Sequence, residues 1–161
     1  MDRIVLDTSV LIKSLFKPLK SLSTEIYSRE MATHEKCRAL VKLLDERDVE
    51  AYVPKAGVVE MAAVARRLAD KGTAKKVSKR VREAYEVVDE SLLFDTALII
   101  ATNTGCSGFD SYFISLAKVK NALLLTDDSG MHLHADEVGV NSVLIREKDL
   151  KEIEASLGPL S

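Results

Sequence analysis

An α/β sandwich, with a parallel sheet between two layers of helices, is the fold class this sequence predicts. Three observations predict it. Short apolar segments at 3–7, 51–53, 122–126 and 141–145 alternate with longer stretches of helical periodicity. Helices between successive strands imply crossover connections, and crossovers imply parallel pairing. The 161 residues are 47% apolar and 30% charged, which suits a buried core within one domain spanning 1–161.

Arg3-Ile4-Val5-Leu6-Asp7 reads as a buried strand closed by an acid. Residues 9–16 read as a short helix and 17–23, with Pro18, as a loop. A helix is expected over 24–47, where Ile26, Cys37, Leu40, Val41 and Leu44 form a stripe for the core or part of a dimer surface. Residues 51–53 form a strand stopped by Pro54. The next helix runs over 55–70 and is broken at Lys71-Gly72. Residues 73–88 continue as a helix, with Val77, Val81 and Tyr85 four apart. The segment 92–102 is apolar enough to predict a buried helix, with Asp95 as its cap or first-turn acid. A turn at 103–108 leads to a helix over 110–120 and a strand over 122–126. A helix over 129–138 is closed by Gly139, and a strand at 141–145 and a helix at 147–156 complete the order.

Acids stand where acids are expensive. Asp7 closes the first apolar run, Glu60 interrupts 56–65, Asp110 opens an apolar helix, and Asp127 and Asp128 follow Leu123-Leu124-Leu125-Thr126. A carboxylate in apolar surroundings must be neutralised, hydrogen-bonded, paired or bound to a metal. In a parallel sheet, ligands bind beyond the carboxyl ends of the strands. Asp7 and the 127–128 pair sit at two such ends, so one shared acidic pocket follows from the topology. Simpler roles compete: Asp7 as a helix cap, Asp110 as a first-turn acid, and Asp127 and Asp128 as turn residues. Glu60 resists such a role most, because its neighbours are apolar on both sides.

The net charge of −2 does not mark the whole molecule as a polyanion binder, but residues 66–82 alone carry +7. That segment is either the solvated face of an amphipathic helix or a phosphate-tracking surface beside the pocket. Aromatic residues make up only 5% of the chain, so base stacking is not an evident binding mode. Cys37 and Cys106 match no metal or redox spacing and are expected to be reduced thiols. His132 and His134, two apart on a helix, face different directions and do not suggest a zinc site. The charged N-terminus predicts no signal peptide, and no stretch suits a membrane span, so a cytoplasmic protein is expected.

Val5-Leu6-Asp7-Thr8-Ser9-Val10-Leu11-Ile12 resembles the opening motif of PIN-domain nucleases. Val58-Val59-Glu60-Met61, Gly108-Phe109-Asp110-Ser111-Tyr112 and Leu125-Thr126-Asp127-Asp128 resemble the later motifs, in the same order. The resemblance covers essentially the whole chain, and its best-known small members are VapC-type toxin ribonucleases of toxin–antitoxin pairs. It implies a PIN-like three-layer α/β/α sandwich with four to five short parallel strands. It also implies Mg2+- or Mn2+-dependent cleavage of single-stranded RNA, with single-stranded or structured RNA as the partner. The family's Thr-x-Asp spacing selects Asp128 over Asp127, which is left as a turn residue. Asp7 and Asp110 are then the principal metal ligands, with Asp128 and Glu60 completing the site. Thr8, Ser9 and Thr126 are expected to hydrogen-bond the carboxylates or a bound water. Arg66, Arg67, Lys75, Lys76, Lys79 and Arg80 are candidate RNA contacts. The resemblance further implies an antitoxin partner and a homodimer or higher homo-oligomer. Many members carry Ala where this chain has Ser111, a departure of little expected effect.

The chemistry agrees with this reading. Mg2+ takes oxygen ligands and keeps several waters, so a few carboxylates suffice. Such a cation activates water, orients the scissile phosphate and stabilises the leaving oxygen. Two other roles remain open: an RNA- or rRNA-processing nuclease, and a non-catalytic metal- and RNA-binding module of the same fold. Phosphoryl-transfer enzymes of the dehalogenase or response-regulator kind also place an Asp after the first strand. The former require a second acid where Ser9 stands, and the latter place their acid pair early rather than late.

Overall fold

The computed structural model describes residues 3–47 and 49–158. Among them, five strands form one sheet: β1 (Arg3–Leu6), β2 (Glu50–Pro54), β3 (Glu86–Val88), β4 (Leu123–Thr126) and β5 (Ser142–Leu144). The spatial order is β3-β2-β1-β4-β5, and every pairing is parallel. Central β1 sets Ile4 opposite Ala51 on one side and Leu123 on the other. The chain moves outward from β1 first through β2 and later through β4. The strand order therefore reverses at β1, and the crevice beyond its carboxyl end is where such sheets bind ligands.

Side chains alternate across each strand and feed two cores. Ile4, Leu6, Val53 and Leu125 pack beneath α1 (Thr8–Leu15), α2 (Thr24–Glu46), α3 (Lys55–Leu68), α4 (Lys71–Ala84) and α8 (Leu150–Ser156). Val5, Tyr52, Val88 and Leu124 pack on the other face, against α5 (Phe94–Thr104), α6 (Gly108–Lys120) and α7 (Ser129–Glu137). This is the expected α/β sandwich. The stripe on α2 is core at Cys37, Leu40 and Leu44. A Cβ on Gly57 would sit 3.0 Å from the Phe113 ring, so glycine lets the start of α3 lie close against α6. Cys37 and Cys106 are free thiols, and burial pushes Cys37 up to about 12. Among the described residues, no helix is long and apolar enough to cross a membrane.

Three expectations are corrected. The break in the long helical stretch falls at Ala69, not at Lys71-Gly72. Asp70 caps α4 through the Thr73 N–H, so Lys71 and Gly72 start that helix. The helix expected to reach residue 88 stops at Ala84, and Glu86–Val88 is the edge strand β3. Three residues are too few for a period-2 pattern to show. The apolar segment from residue 92 is not buried all round: Leu92, Phe94, Leu98 and Ile99 are 54–73% exposed, while Leu93, Ala97 and Ile100 face the core. Asp95 does lie in the first turn of α5.

A fourth correction concerns Asp127, expected to be an ordinary turn residue. Its side chain has no exposure and is gripped by two cations, Lys13 at 2.5 Å and Arg146 at 3.1 Å. Arg146 also donates its backbone N–H to Asp127 Oδ1 and its guanidinium to the Asp127 carbonyl. Lys13 reaches on to Glu30 of α2. Lys36, also on α2, donates to the carbonyls of Ile145, Arg146 and Lys148. The end of β4, α1, α2 and the turn after β5 are thereby tied at one point. Removing one partner of a buried pair strands the others. Asp127→Ala should therefore lower stability by about 3 kcal/mol, a fall in Tm of roughly 6–12 °C. Thermal unfolding followed by circular dichroism checks this, and an unchanged Tm would contradict the anchoring role.

Candidate active site

Asp7, Glu60, Asp110 and Asp128 all line one open pocket of about 290 Å³, beside Thr8, Ser9, Ile12, Val64, Phe109 and Met131. Each acid arrives on a different element. Asp7 directly follows β1 and is the N-cap residue of α1, but its side chain makes no capping hydrogen bond. Its carboxylate is turned to other use: Oδ2 accepts the Ser9 hydroxyl at 2.5 Å and the Thr126 hydroxyl at 2.7 Å. Its backbone N–H extends the sheet to the Leu125 carbonyl. Asp7 is thus built into the junction of β1 and β4, and only 3% of it is exposed.

Asp128 follows β4 and caps α7, with Oδ1 accepting the Met131 N–H at 2.9 Å. Its own N–H donates to Thr126 Oγ1. The simple capping role therefore belongs to Asp128, not to Asp7. Asp110 occupies the first turn of α6, where Ser107 Oγ accepts its N–H. Glu60 stands in the second turn of α3. It is half exposed despite its apolar neighbours, because the flanking Val59 points outward and Met61 inward. Arg67, two turns further along α3, approaches Glu60 at 3.6 Å.

The acids influence one another. Burial pushes the Asp7 carboxyl up to about 6; the Ser9 and Thr126 hydrogen bonds oppose this, and Asp128 adds to it. Burial also raises Asp110; the Ser107 contact opposes that shift, and Asp128 again reinforces it. Asp128 thus lies within electrostatic reach of both. The donor set is all oxygen and all carboxylate, with hydroxyls behind it, which suits a hard divalent cation that retains water. Among the described residues, no group of three or more His, Cys, Asp or Glu is arranged to hold an ion as it stands.

The other candidates disperse. Lys79 pairs with Glu83. Lys76 and Arg80 line a separate groove with Leu11, Leu15, Val41 and Tyr85. Arg66 and Lys75 are exposed on α3 and α4. His132 bonds Ser142 and His134 bonds Glu137. The sequence reading missed Lys13 and Arg146. The lone Lys13 within the apolar run 10–16 was the available signal, since a cation there needs a buried partner.

The shift at Asp7 has a definite sign. Its carboxyl rises from 3.8 to about 6 in the fold, so the stability it contributes is full below about pH 4 and lost as pH climbs through about 6. Without divalent cations, wild type should lose roughly 2–4 kcal/mol relative to Asp7→Asn across that window. Mn2+ at neutral pH should restore the difference. Urea unfolding of both proteins at several pH values measures it, and a constant gap between them would refute the shift.

The PIN domain family model matches residues 4–137. No curated protein matches the chain by sequence. Solved structures resemble it in fold. FitAcB from Neisseria gonorrhoeae aligns with a TM-score of 0.55 at 19% identity, covering 86% of this chain and 95% of that one. VapBC2 from Rickettsia felis, bound to a DNA fragment from its promoter, aligns with a TM-score of 0.60 at 12% identity, covering 88% and 97%. PAE2754 from Pyrobaculum aerophilum aligns with a TM-score of 0.56 at 14% identity, covering 97% and 89%. With four-fifths of its length matched and its acids gathered at the head of the sheet, this chain belongs to the PIN domain family, whose members are generally nucleases.

Proposed function

We propose that this protein is a metal-dependent endoribonuclease that cleaves single-stranded RNA, acting in the cytoplasm as the toxin of a toxin–antitoxin pair. The observation that carries the proposal is the convergence of Asp7, Glu60, Asp110 and Asp128, from four elements, on one pocket at the reversal point of the sheet. The fold-level likeness to toxin–antitoxin complexes supports the biological role. Asp7, Asp110, Asp128 and Glu60 would hold Mg2+ or Mn2+. Bound there, the cation would supply positive charge to the scissile phosphate and the leaving oxygen. Ser9 and Thr126 fix the Asp7 carboxylate so that it meets the ligand in one orientation. Arg67, beside Glu60, offers a guanidinium to the RNA backbone.

Incubation of end-labelled RNAs with wild type, Asp7→Asn and Asp110→Asn tests this. Cleavage should need Mn2+ or Mg2+, stop with EDTA, and fall at least about 100-fold in both variants. Equal cleavage by all three proteins would sink the assignment.

Two surfaces suit the partners. The groove lined by Leu11, Leu15, Val41, Met61, Val77 and Tyr85 carries Lys76 and Arg80 against one Asp45. It fits an antitoxin segment with apolar anchors and acidic flanks. The exposed face of α5, with Leu92 just ahead of it, fits a second copy of this chain. Light scattering on the complex purified with any small protein encoded beside this gene checks both. Lys76→Glu with Arg80→Glu should release the small partner, and Ile99→Glu should halve the toxin mass. Retention of both under these changes would refute the two surfaces.

A further inference from the structure

Among the described residues, six serine and threonine side chains are buried, and the hydroxyls of five are satisfied. Ser14 donates to the Leu11 carbonyl, Thr33 to Arg29, Ser111 to Gly108, Ser115 to Leu93, and Thr126 to the Asp7 carboxylate. Thr8 is the exception. It is 7% exposed, and its Oγ1 is covered and meets no partner. Yet Thr8 lies on the wall of the acidic pocket, one residue from Asp7. An unsatisfied buried hydroxyl destabilises the fold, and natural structures keep few of them without a functional reason.

The neighbouring hydroxyls already have tasks. Ser9 and Thr126 both bond Asp7 Oδ2, and Ser9 Oγ also accepts the Asp127 N–H. Only Thr8 holds its hydrogen-bonding capacity in reserve. A threonine in a helix has two accessible χ1 rotamers, so a single turn about Cα–Cβ re-aims its hydroxyl. The pocket, at about 290 Å³, has room for several waters beside an ion.

We propose that the Thr8 hydroxyl is a positioning group for the hydrated divalent cation: it turns into the pocket and accepts a hydrogen bond from a water the cation carries. This rests on the acidic pocket being the cation site. The unmet hydroxyl of the free protein is then satisfied on binding, so the ligand gains what the empty fold forgoes. Residues that hold ligands or waters of a metal in this indirect way typically change its affinity by about 10-fold or more.

The test uses wild type, Thr8→Val, Thr8→Ser and Asp7→Asn. Mn2+ affinity is read by electron paramagnetic resonance of the free ion, and the metal-free Tm by circular dichroism. Thr8→Val keeps the shape and removes the unmet hydroxyl. It should raise the metal-free Tm by about 2–4 °C and weaken Mn2+ binding about 10-fold. Thr8→Ser, which keeps the hydroxyl, should bind within about 2-fold of wild type. Wild-type Mn2+ affinity in Thr8→Val would overturn the proposal and make Thr8 a packing residue. If wild type binds no Mn2+, or Asp7→Asn binds as tightly, the acidic-site reading itself fails and this inference falls with it.

Discussion

One continuous hydrogen-bonded chain joins the scaffold to the site. Arg146 and Lys13 grip Asp127, the Asp127 N–H donates to Ser9, Ser9 donates to Asp7, and Thr126 binds Asp7 while accepting the Asp128 N–H. The ends of β1 and β4 lie side by side at the centre of the sheet, and this chain knits them together. Asp7 and Asp128 inherit their positions from that junction. The first turns of α1 and α7 both leave from it, and α2 is tied to it through Glu30 and Lys36.

Asp7 and Asp127 are both buried at the carboxyl ends of adjacent strands, and their electrostatic fates differ. Asp127 has two cations in contact and is neutralised within the fold. Asp7 has uncharged donors in contact and another acid nearby, so burial drives its carboxyl upward. The first carboxylate is complete in the free protein and serves architecture. The second is left short of positive charge within the fold. The distinction rests on partners and not on depth, because both are almost fully enclosed.

The outer surface follows similar logic. Helix α4 is strongly basic, yet Lys76 and Arg80 border an apolar groove instead of the acidic pocket, while Arg67 on α3 reaches the pocket through Glu60. Charge alone therefore did not assign these residues a role. Their neighbours did, and α3 and α4 face different features although they are consecutive in the chain. On α5, Leu93, Ala97 and Ile100 satisfy the core, and the remaining apolar residues are left facing outward. A helix apolar on more than one side is fully buried only when something covers each side.

Much of the fold and most of the pocket were legible in the sequence. Apolar runs separated by helical periodicity dictated the parallel sheet. The position of acids at strand ends dictated that Asp7 and Asp128 would meet, because a parallel sheet brings its carboxyl ends to one edge, and Asp110 joins them from the start of the helix that leads into β4. Those are consequences of local pattern and chain direction. Edge strand β3 was hidden, since three residues carry no period. The burial of Asp127 and the exposure of Ile99 were hidden too, since a residue's neighbours in sequence do not reveal what packs over it. Lys13 and Arg146 lie 114 and 19 residues from Asp127, and no local pattern links them. The sequence by itself determined which residues form strands and which acids end them. Only the tertiary structure decided that Asp127 meets two cations while Asp7 meets hydroxyls and another acid, because charge compensation depends on distances between residues far apart in the chain.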